Sequence, residues 1–558
     1  MVLLVPPGIR GGRARCTGAC AAARCGADGG HAGGSGAAGT SQRGDGHRAR
    51  SARTHPLSRR YRRAVRLCWR GCHISPMASS DSASTPESPT RAILLDTADP
   101  RPVHFVGIAG AGMSALAELL ARRGVAIQGT DANPTGAPDL AKYGVAVSPH
   151  DDRRVAGARA LVYSSAIPAT HPEMQAARAA GIPVIRRAEA LADAVSGGTL
   201  IGVAGTHGKT TTTVMTTEAL ASAARNPTGV VGGRVGMWGG NLRLGGDTYV
   251  VEADEYDRSF LALHPDLAIV LNVEADHLDI YRDLDDIMRA FEMYLSPART
   301  VVRCADDVGA MTLRVASSRD VIDYSAIVPG TAPSGHAANA RLVADALVLD
   351  ATGSRFTVRF DGVALGDLQL AVPGMHNVRN ALAAIGAGLA LGASVPEMAP
   401  GLAAFRGVER RFQRLGSERG VEVVDDYAHH PTEVQATIAA ARHAFPDRRL
   451  VLLFQPHLYS RTRDLQAEFA TALSAADVLL LCDIYGAREK PEPEVTSALI
   501  GDRITNGVLR WTGPREEAAA VAQGMVQEGD VVLTMGAGDI TRTGPELLER
   551  LRATSSHH

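Results

Sequence analysis

The residues best suited to chemistry in this chain fall in short clusters, the densest being Gly205-Thr206-His207-Gly208-Lys209-Thr210. Its glycines let backbone N–H groups approach phosphate oxygens, and a helix starting there adds partial positive charge. Lys209 offers a point charge to the outer phosphates, and the Thr210 hydroxyl can sit on Mg²⁺. The usual pattern has a further glycine where this chain has Val203, so the motif is a shortened form, Gly205-x-x-Gly208-Lys209-Thr210. Lys142, Lys209 and Lys490 are the only lysines among 58 Lys and Arg residues, so a composition that favours Arg has kept Lys at this loop.

Two acidic clusters follow. Glu252-Ala-Asp254-Glu255-Tyr-Asp257 places four acids in six residues, which is costly if buried without a cation and unremarkable as a solvated loop. Glu274-Ala-Asp276-His277 adds carboxylates and an imidazole. Such groups at strand ends downstream of a phosphate loop suit Mg²⁺ held together with nucleotide phosphates. Further on, His376-Asn377-Val-Arg-Asn380 opens a helix. Asn377 can cap it, whereas Asn380, a turn further in, suits an adenine edge. Asp425-Asp426-Tyr427-Ala-His429-His430-Pro431 and Gln455-Pro-His457-Leu-Tyr459-Ser-Arg461-Thr-Arg463 are the last two clusters.

These clusters need elements behind them. Leu200 to Ala204 reads as a buried strand entering the phosphate loop, and a Thr- and Ala-rich helix leaves it. Apolar strands over Tyr249 to Ala253 and Leu267 to Asn272 lead into the acidic clusters. Upstream, a strand at Val103 to Val106 enters Gly107-Ile-Ala-Gly110-Ala-Gly112, then a helix over Met113 to Arg123 and a strand over Val125 to Gln128 that ends at Asp131. This is the order of a dinucleotide-binding βαβ unit, but with the spacing GxxGxG in place of GxGxxG. The loop suits a pyrophosphate, hence a nucleotide-linked substrate; a nicotinamide-dependent oxidoreductase is the weaker alternative. Ala160 to Tyr163, Ser164-Ser165, a helix over Pro172 to Ala180 and a strand over Pro183 to Ile185 close this unit. Residues 301–370 alternate short apolar runs with turn residues and predict a small antiparallel appendage, and the helix after Pro373-Gly374 runs to Leu391. Strands over Val421 to Val424, Leu450 to Phe454, Val478 to Leu481 and Val531 to Met535, with helices between, make a third α/β unit whose polar clusters lie past the carboxyl ends of strands. The expected fold is α/β in three domains, 98–195 and 409–558 Rossmann-like and 196–408 P-loop ATPase-like.

Composition is that of a globular chain of 558 residues, and no apolar run approaches the roughly 20 residues of a membrane span. Residues 1–76 hold 14 Arg against Asp28 and Asp45, about +12, so with an overall −1 the remainder is acidic by about 13, which argues against nucleic acid as a partner. Cys16, Cys20, Cys25, Cys68 and Cys72 lie in that leader, and only Cys304 and Cys482 beyond it, as expected of a body in a reducing cytoplasm. The leader can be read as a metal module through Cys68-x₃-Cys72-His73 or as a transit peptide. The reading preferred here is that residues 1–97 are a disordered lead-in, with translation starting at Met77.

Together HFVGIAGAGMS, GTHGKTTT, EADEYDRSF, NVEADHLD, GMHNVRNALA, FRGVERRF, DDYAHHPTE and QPHLYSRT, in this order, resemble the motif set of the Mur ligases over roughly 100 to 545. The resemblance implies a peptidoglycan-synthesis enzyme of the cytoplasm, a monomer or weak homodimer, that uses ATP and Mg²⁺ to join L-alanine to the lactyl carboxylate of UDP-N-acetylmuramate through an acyl phosphate. It implies that Gly205, Thr206, His207, Gly208, Lys209, Thr210 and Thr211 hold the phosphates, with His376, Asn377 and Asn380 near adenine and Arg410 also on ATP. Lys209, Glu252, His277, Arg411 and Asp426 are then catalytic, and Thr210, Glu252 and His277 hold the metal. Tyr427, His429, His457 and Arg461 lie near the amino acid, and Gly110, Gly112, Met113, Ser114, Asp131 and Ser165 near the UDP moiety. Several later members of the family carry a carbamoylated lysine where this chain has none, Glu292 being near that position, which fits the alanine-adding branch. Tyr256 stands where many alanine-adding enzymes have Ser. It keeps a ligase that recycles whole murein peptides as the alternative, while a nucleotide-regulated binding protein without chemistry leaves the His- and Asp-rich strand ends unexplained.

Overall fold

The computed structural model describes residues 89–554 apart from Ala351 and Arg488. The basic leader, the Cys68–Cys72–His73 reading and the proposed start at Met77 lie outside the described residues. Three sheets follow one another along the chain. The first has β1 (Val103–Val106), β2 (Ile127–Thr130), β3 (Ala146–Ser148), β4 (Ala160–Tyr163) and β5 (Val184–Arg186) in the order β3-β2-β1-β4-β5, all parallel. All four residues of β1 are buried, as a parallel strand covered on both faces requires. β2 starts two residues later than its apolar run: Gly124, at φ 88°, closes the preceding helix, and Val125 N–H still bonds the Leu120 carbonyl of that helix. Residues Pro89–Leu95, inside the expected lead-in, form a helix whose Leu94 is fully buried.

The middle sheet has ten strands: β6 (Thr199–Ala204), β7 (Thr228–Val235), β8 (Gly240–Arg243), β9 (Thr248–Glu252), β10 (Leu267–Val270), β11 (Thr300–Cys304), β12 (Asp320–Ala326), β13 (Leu342–Asp350), β14 (Gly353–Phe360) and β15 (Val363–Leu370). Their order is β15-β14-β13-β12-β11-β10-β6-β9-β7-β8. The expected appendage at 301–370 is thus not separate. β11 and β12 extend the parallel core, and within this segment β13 to β15 are mutually antiparallel, as are β7 and β8 at the other edge. Side chains of β10 are fully buried, Leu267, Ile269 and Val270 each contributing about 1.5–3 kcal/mol.

Helix Lys209–Ser222 carries a run of β-branched threonines, weak helix formers. Burial against helices Met375–Ala390 and Val395–Ala404 holds it. Thr213, Thr216 and Thr217 satisfy their hydroxyls on the carbonyls of Lys209, Thr212 and Thr213, one turn back. The helix is therefore fixed from its first turn, and with it the loop that it begins.

The third sheet holds β16 (Gln413–Glu418), β17 (Val421–Asp426), β18 (Leu450–Phe454), β19 (Val478–Cys482), β20 (Leu509–Gly513) and β21 (Val531–Met535) in the order β16-β17-β21-β18-β19-β20. Edge strand β16 is antiparallel and the rest parallel. Apart from His376–Asn380, which follows antiparallel β15, the functional clusters follow the carboxyl ends of parallel strands, where open α/β sheets bind ligands.

Candidate active site

The phosphate loop leaves β6 with Gly205 at φ 144° and enters its helix with Gly208 at φ 85°. A Cβ on Gly208 would lie 2.9 Å from Asn380 Oδ1, so glycine lets helix Met375–Ala390 bring Asn380 against the loop. Asn272, just past β10, clamps the loop: its Oδ1 accepts from His207 N–H at 2.7 Å and its Nδ2 donates to the His207 carbonyl at 3.1 Å. Lys209 Nζ donates to the Gly205 carbonyl at 2.8 Å and to Glu255 Oε1 at 2.9 Å. Burial disfavours the ammonium, yet Glu255, Asp254 and Glu252 outweigh it and hold Lys209 above its ordinary range.

Glu252, at the end of β9, accepts from Thr210 Oγ1 at 2.8 Å and from Gly232 N–H at 2.7 Å. Burial pushes Glu255 up to about 7 against the pull of Lys209. His277 Nε2 lies 3.8 Å from Glu255 Oε1, and its buried Nδ1 has no hydrogen-bond partner among the described residues. The Tyr256 ring meets His277 edge-on, with centroids 5.1 Å apart. Asp257, Arg258, His277, Arg410, Phe412 and Leu458, six of the twelve described non-glycine residues with positive φ, lie in the loops around this centre. Backbone strain of this kind gathers at working sites.

From the C-terminal region, Asp426 accepts from the N–H groups of Phe412 and Ala428, both at 2.7 Å. Burial raises it to about 6, with Arg411 opposing. Of the two expected arginines only Arg411 faces the cavity described below. Arg410 is turned to its own sheet, donating to the Gly536 carbonyl at 2.6 Å and pairing with Asp425 at 3.2 Å, because its φ of 61° swings the side chain under the loop after β21. Glu433, three residues into helix Pro431–Ala444, pairs with His207 Nδ1 and Arg411 Nη1, each at 3.2 Å, and accepts from His429 N–H at 3.0 Å. It was not among the sequence candidates.

Tyr427, His429, His457 and Arg461 do gather. The Tyr427 and His429 rings are 5.2 Å apart and those of His429 and His457 5.7 Å. Arg461 donates to Asp276 at 2.6 Å, reaching across to the middle sheet. Burial keeps His429 neutral, down to about 4, and its Nδ1 faces the Tyr427 carbonyl at 2.9 Å.

A cavity of about 250 Å³ lies between the phosphate loop, helix Met375–Ala390 and the Arg411–Asp426 region, lined by His207, Gly208, Thr210, His376, Asn380, Arg411 and Asp426 among others. His376 is pushed down to about 4 by burial and by Arg379 and Arg411, so it is a flat neutral ring. Thr211 and Asn377 also line the cavity, and Asn377 does not cap its helix: its Nδ2 donates to the Pro373 carbonyl at 2.7 Å. His207, Glu274 and His430 offer atoms within 4.8 Å of one another. Burial disfavours its charge, but Glu433 and Glu274 raise His207 to about 9, and the ring pairs with both carboxylates.

In the first sheet, Gly110 caps helix Ala111–Arg122, and Ser114 Oγ donates to the Ala111 carbonyl at 3.0 Å. Gly112 packs beneath Arg187, whose Nη1 would be 2.9 Å from an added Cβ. Asp131 braces the loop, accepting from Ala109 N–H at 2.9 Å and Asn133 N–H at 2.8 Å. Ser165 is exposed. The Met113 side chain is 2 % exposed within the hydrophobic core, on the inner face of the helix, so it would meet a ligand only through its first-turn backbone N–H. Buried Glu173 receives His104 at 2.9 Å, Thr130 at 2.6 Å, His150 at 3.2 Å and Asp151 N–H at 2.9 Å, a saturated carboxylate that locks this sheet's loops.

A Mur ligase family catalytic domain matches residues 102–199, the Mur ligase middle domain 203–388 and the Mur ligase glutamate ligase domain 410–538. The chain belongs to the Mur ligase family. The UDP-N-acetylmuramate–L-alanine ligase of Salinibacter ruber is 41% identical over 461 residues, covering 81% of this chain and 95% of the relative. That of Streptomyces coelicolor is 43% identical over 468 residues, covering 82% and 99%. The crystal structure of the UDP-N-acetylmuramate–alanine ligase of Thermotoga maritima superposes with a TM-score of 0.69 at 28% identity, covering 81% of this chain and 99% of the other.

Proposed function

We propose that this chain ligates L-alanine to the lactyl carboxylate of UDP-N-acetylmuramate at the expense of ATP, in the synthesis of peptidoglycan precursors. One observation carries the reading: the phosphate loop and the Arg411–Asp426 pair line the same cavity, and the acidic strand ends and the Tyr427–His429–His457–Arg461 cluster adjoin it. A lactyl carboxylate oxygen attacks the γ-phosphorus, the bond to ADP breaks, and an acyl phosphate forms. The alanine nitrogen then attacks the acyl carbon, gives up a proton, and phosphate leaves as the amide forms.

Phosphoryl transfer between anions is chiefly a problem of charge and position. Lys209 is poised to exchange Glu255 for the γ-phosphate, and Arg411 faces the same space from the other side. The neutral His376 ring and the Asn380 amide suit adenine. His429, with Nδ1 spent on the Tyr427 carbonyl, keeps Nε2 as an acceptor for the amine. The residues also fit Mg²⁺: Thr210 and Glu252 present hard oxygen donors and His277 Nδ1 is a buried nitrogen without a partner. When bound, the cation would screen the charge between phosphate and carboxylate. The first sheet would bind the UDP moiety through Gly110, Gly112 and Ser114, with Arg187 added to the expected set. The proposal places the enzyme in the cytoplasm as a monomer or weak homodimer. Among the described residues no helix is long and apolar enough to cross a membrane.

The test is phosphate release by the full chain with ATP, UDP-N-acetylmuramate and one amine at a time. Release that requires both UDP-N-acetylmuramate and L-alanine supports the reading. Release with a murein tripeptide but not with L-alanine would assign the recycling activity instead.

A further inference from the structure

Three parts of the site converge on Glu433. Its Oε1 lies 3.2 Å from His207 Nδ1, in the phosphate loop, and 3.2 Å from Arg411 Nη1, in the segment that enters the third sheet. Its Oε2 accepts from His429 N–H at 3.0 Å and lies 3.2 Å from His429 Nδ1. Its side chain is 9% exposed. The neighbouring residue strengthens the same junction, since Thr432 Oγ1 donates to Glu274 at 2.7 Å. His207 is held from behind as well, its backbone clamped on both sides by Asn272.

We propose that Glu433 is a positioning residue for the ligation, a shared anchor that sets the phosphate loop, the Arg411 guanidinium and the His429 acceptor in register with one another. It lines the cavity beside Arg411, and in the proposed reaction, on which this inference rests, it acts through His207, Arg411 and His429 rather than on the reacting atoms. Through His207 it fixes the loop whose amides face the phosphates. Through Arg411 it aims a cation into the cavity, and through His429 it holds the ring that meets the amine. Nucleotide-side and amino-acid-side geometry are thereby one arrangement.

The plain alternative is a helix cap. Glu433 is the third residue of helix Pro431–Ala444 and bonds back to the His429 N–H, as capping glutamates do. Glutamine serves a cap equally well but carries no charge for His207 and Arg411, so Glu433→Gln separates the two roles. As a positioning residue it predicts an intact fold by circular dichroism, with a melting temperature lowered by the lost ion pairs, kcat lower by about 10- to 100-fold, and KM for L-alanine higher by about 10-fold. KM for UDP-N-acetylmuramate stays within about 2-fold, because the first sheet is untouched. His207→Asn reproduces part of the loss, and the double variant is no worse than the weaker single one.

Wild-type kcat and KM in Glu433→Gln overturn the proposal, as do losses that multiply in the double variant. Should Glu433→Gln fail to fold, His207→Asn decides alone: reduced kcat with raised alanine KM upholds the anchor, and unchanged values overturn it. If the wild-type chain releases no alanine-dependent phosphate, the ligase reading fails by itself. The anchor is then judged by ADP calorimetry, where weaker binding to Glu433→Gln upholds it and equal binding overturns it.

Discussion

Arg461 Nη2 donates to Asp276 Oδ1 at 2.6 Å, tying the short helix Tyr459–Asp464 after β18 to the loop after β10 across the two sheets that build the site. Both side chains are at most 10% exposed. Burial disfavours the Asp276 charge, but Arg461 and His277 outweigh it and hold the carboxyl far below the usual range. The bond sets the distance between the acidic strand ends and the His429–His457 cluster.

Arg461→Ala leaves Asp276 buried without its partner and is expected to cost about 3–5 kcal/mol of stability. Chemical denaturation checks this. The double variant Asp276→Asn/Arg461→Met removes both charges and recovers most of the stability. It does not recover ligation, because the Arg461 fork is then absent from the amino-acid side.

Lys209→Ala removes the ammonium that Glu255 holds beside the phosphate loop. Phosphate release falls by about 10³-fold or more, since a charge aimed at the transferring phosphoryl group has no substitute nearby. Helix Lys209–Ser222 stays folded by its burial, so circular dichroism is unchanged. Activity near wild type would remove Lys209 from its assigned role.

The clasp between His207 and Glu433 carries a pH dependence. His207 is held at about 9 against an ordinary 6.5, so protonation favours the folded state. That contribution is fully present below about pH 6.5 and is lost as pH rises through about 9. The melting temperature of wild type therefore exceeds that of His207→Asn at about pH 6, and the gap closes by about pH 10. A gap that widens with pH would contradict the ion pair.

Glu252→Gln removes the charge, while its one carbonyl oxygen can still accept from Gly232 N–H and its amide N–H can donate to Thr210 Oγ1. The Mg²⁺ concentration for half-maximal activity rises by about 10-fold or more, while binding of metal-free ADP, measured by calorimetry, changes little. Equal Mg²⁺ dependence in the two proteins would take Glu252 out of the metal set.

Most strands were legible because parallel strands buried on both faces are short apolar runs with little else in them: β1, β4, β18 and β21 fall on the expected residues. The edge strands β16 and β20 were not, because exposed positions interrupt their patterns. The continuity of β11 and β12 with the parallel core was also hidden, since local alternation says nothing about which neighbour a strand pairs with. Within the site, glycine and lysine spacing announced the phosphate loop. Glu433 was missed because a glutamate in the first turn of a helix looks like a cap until the fold brings His207 and Arg411 to it. Arg410 and Arg411 could not be told apart from sequence, since a single positive φ decides which one faces the cavity.

The claim beneath all of this is that the γ-phosphate is handed to the lactyl carboxylate before alanine attacks. Ligation run with UDP-N-acetylmuramate labelled with ¹⁸O in that carboxylate, followed by mass spectrometry of the released phosphate, tests it directly. The account predicts one labelled oxygen in each phosphate formed. Phosphate that carries no label, the departing carboxylate oxygen appearing in water or in ADP instead, would contradict it.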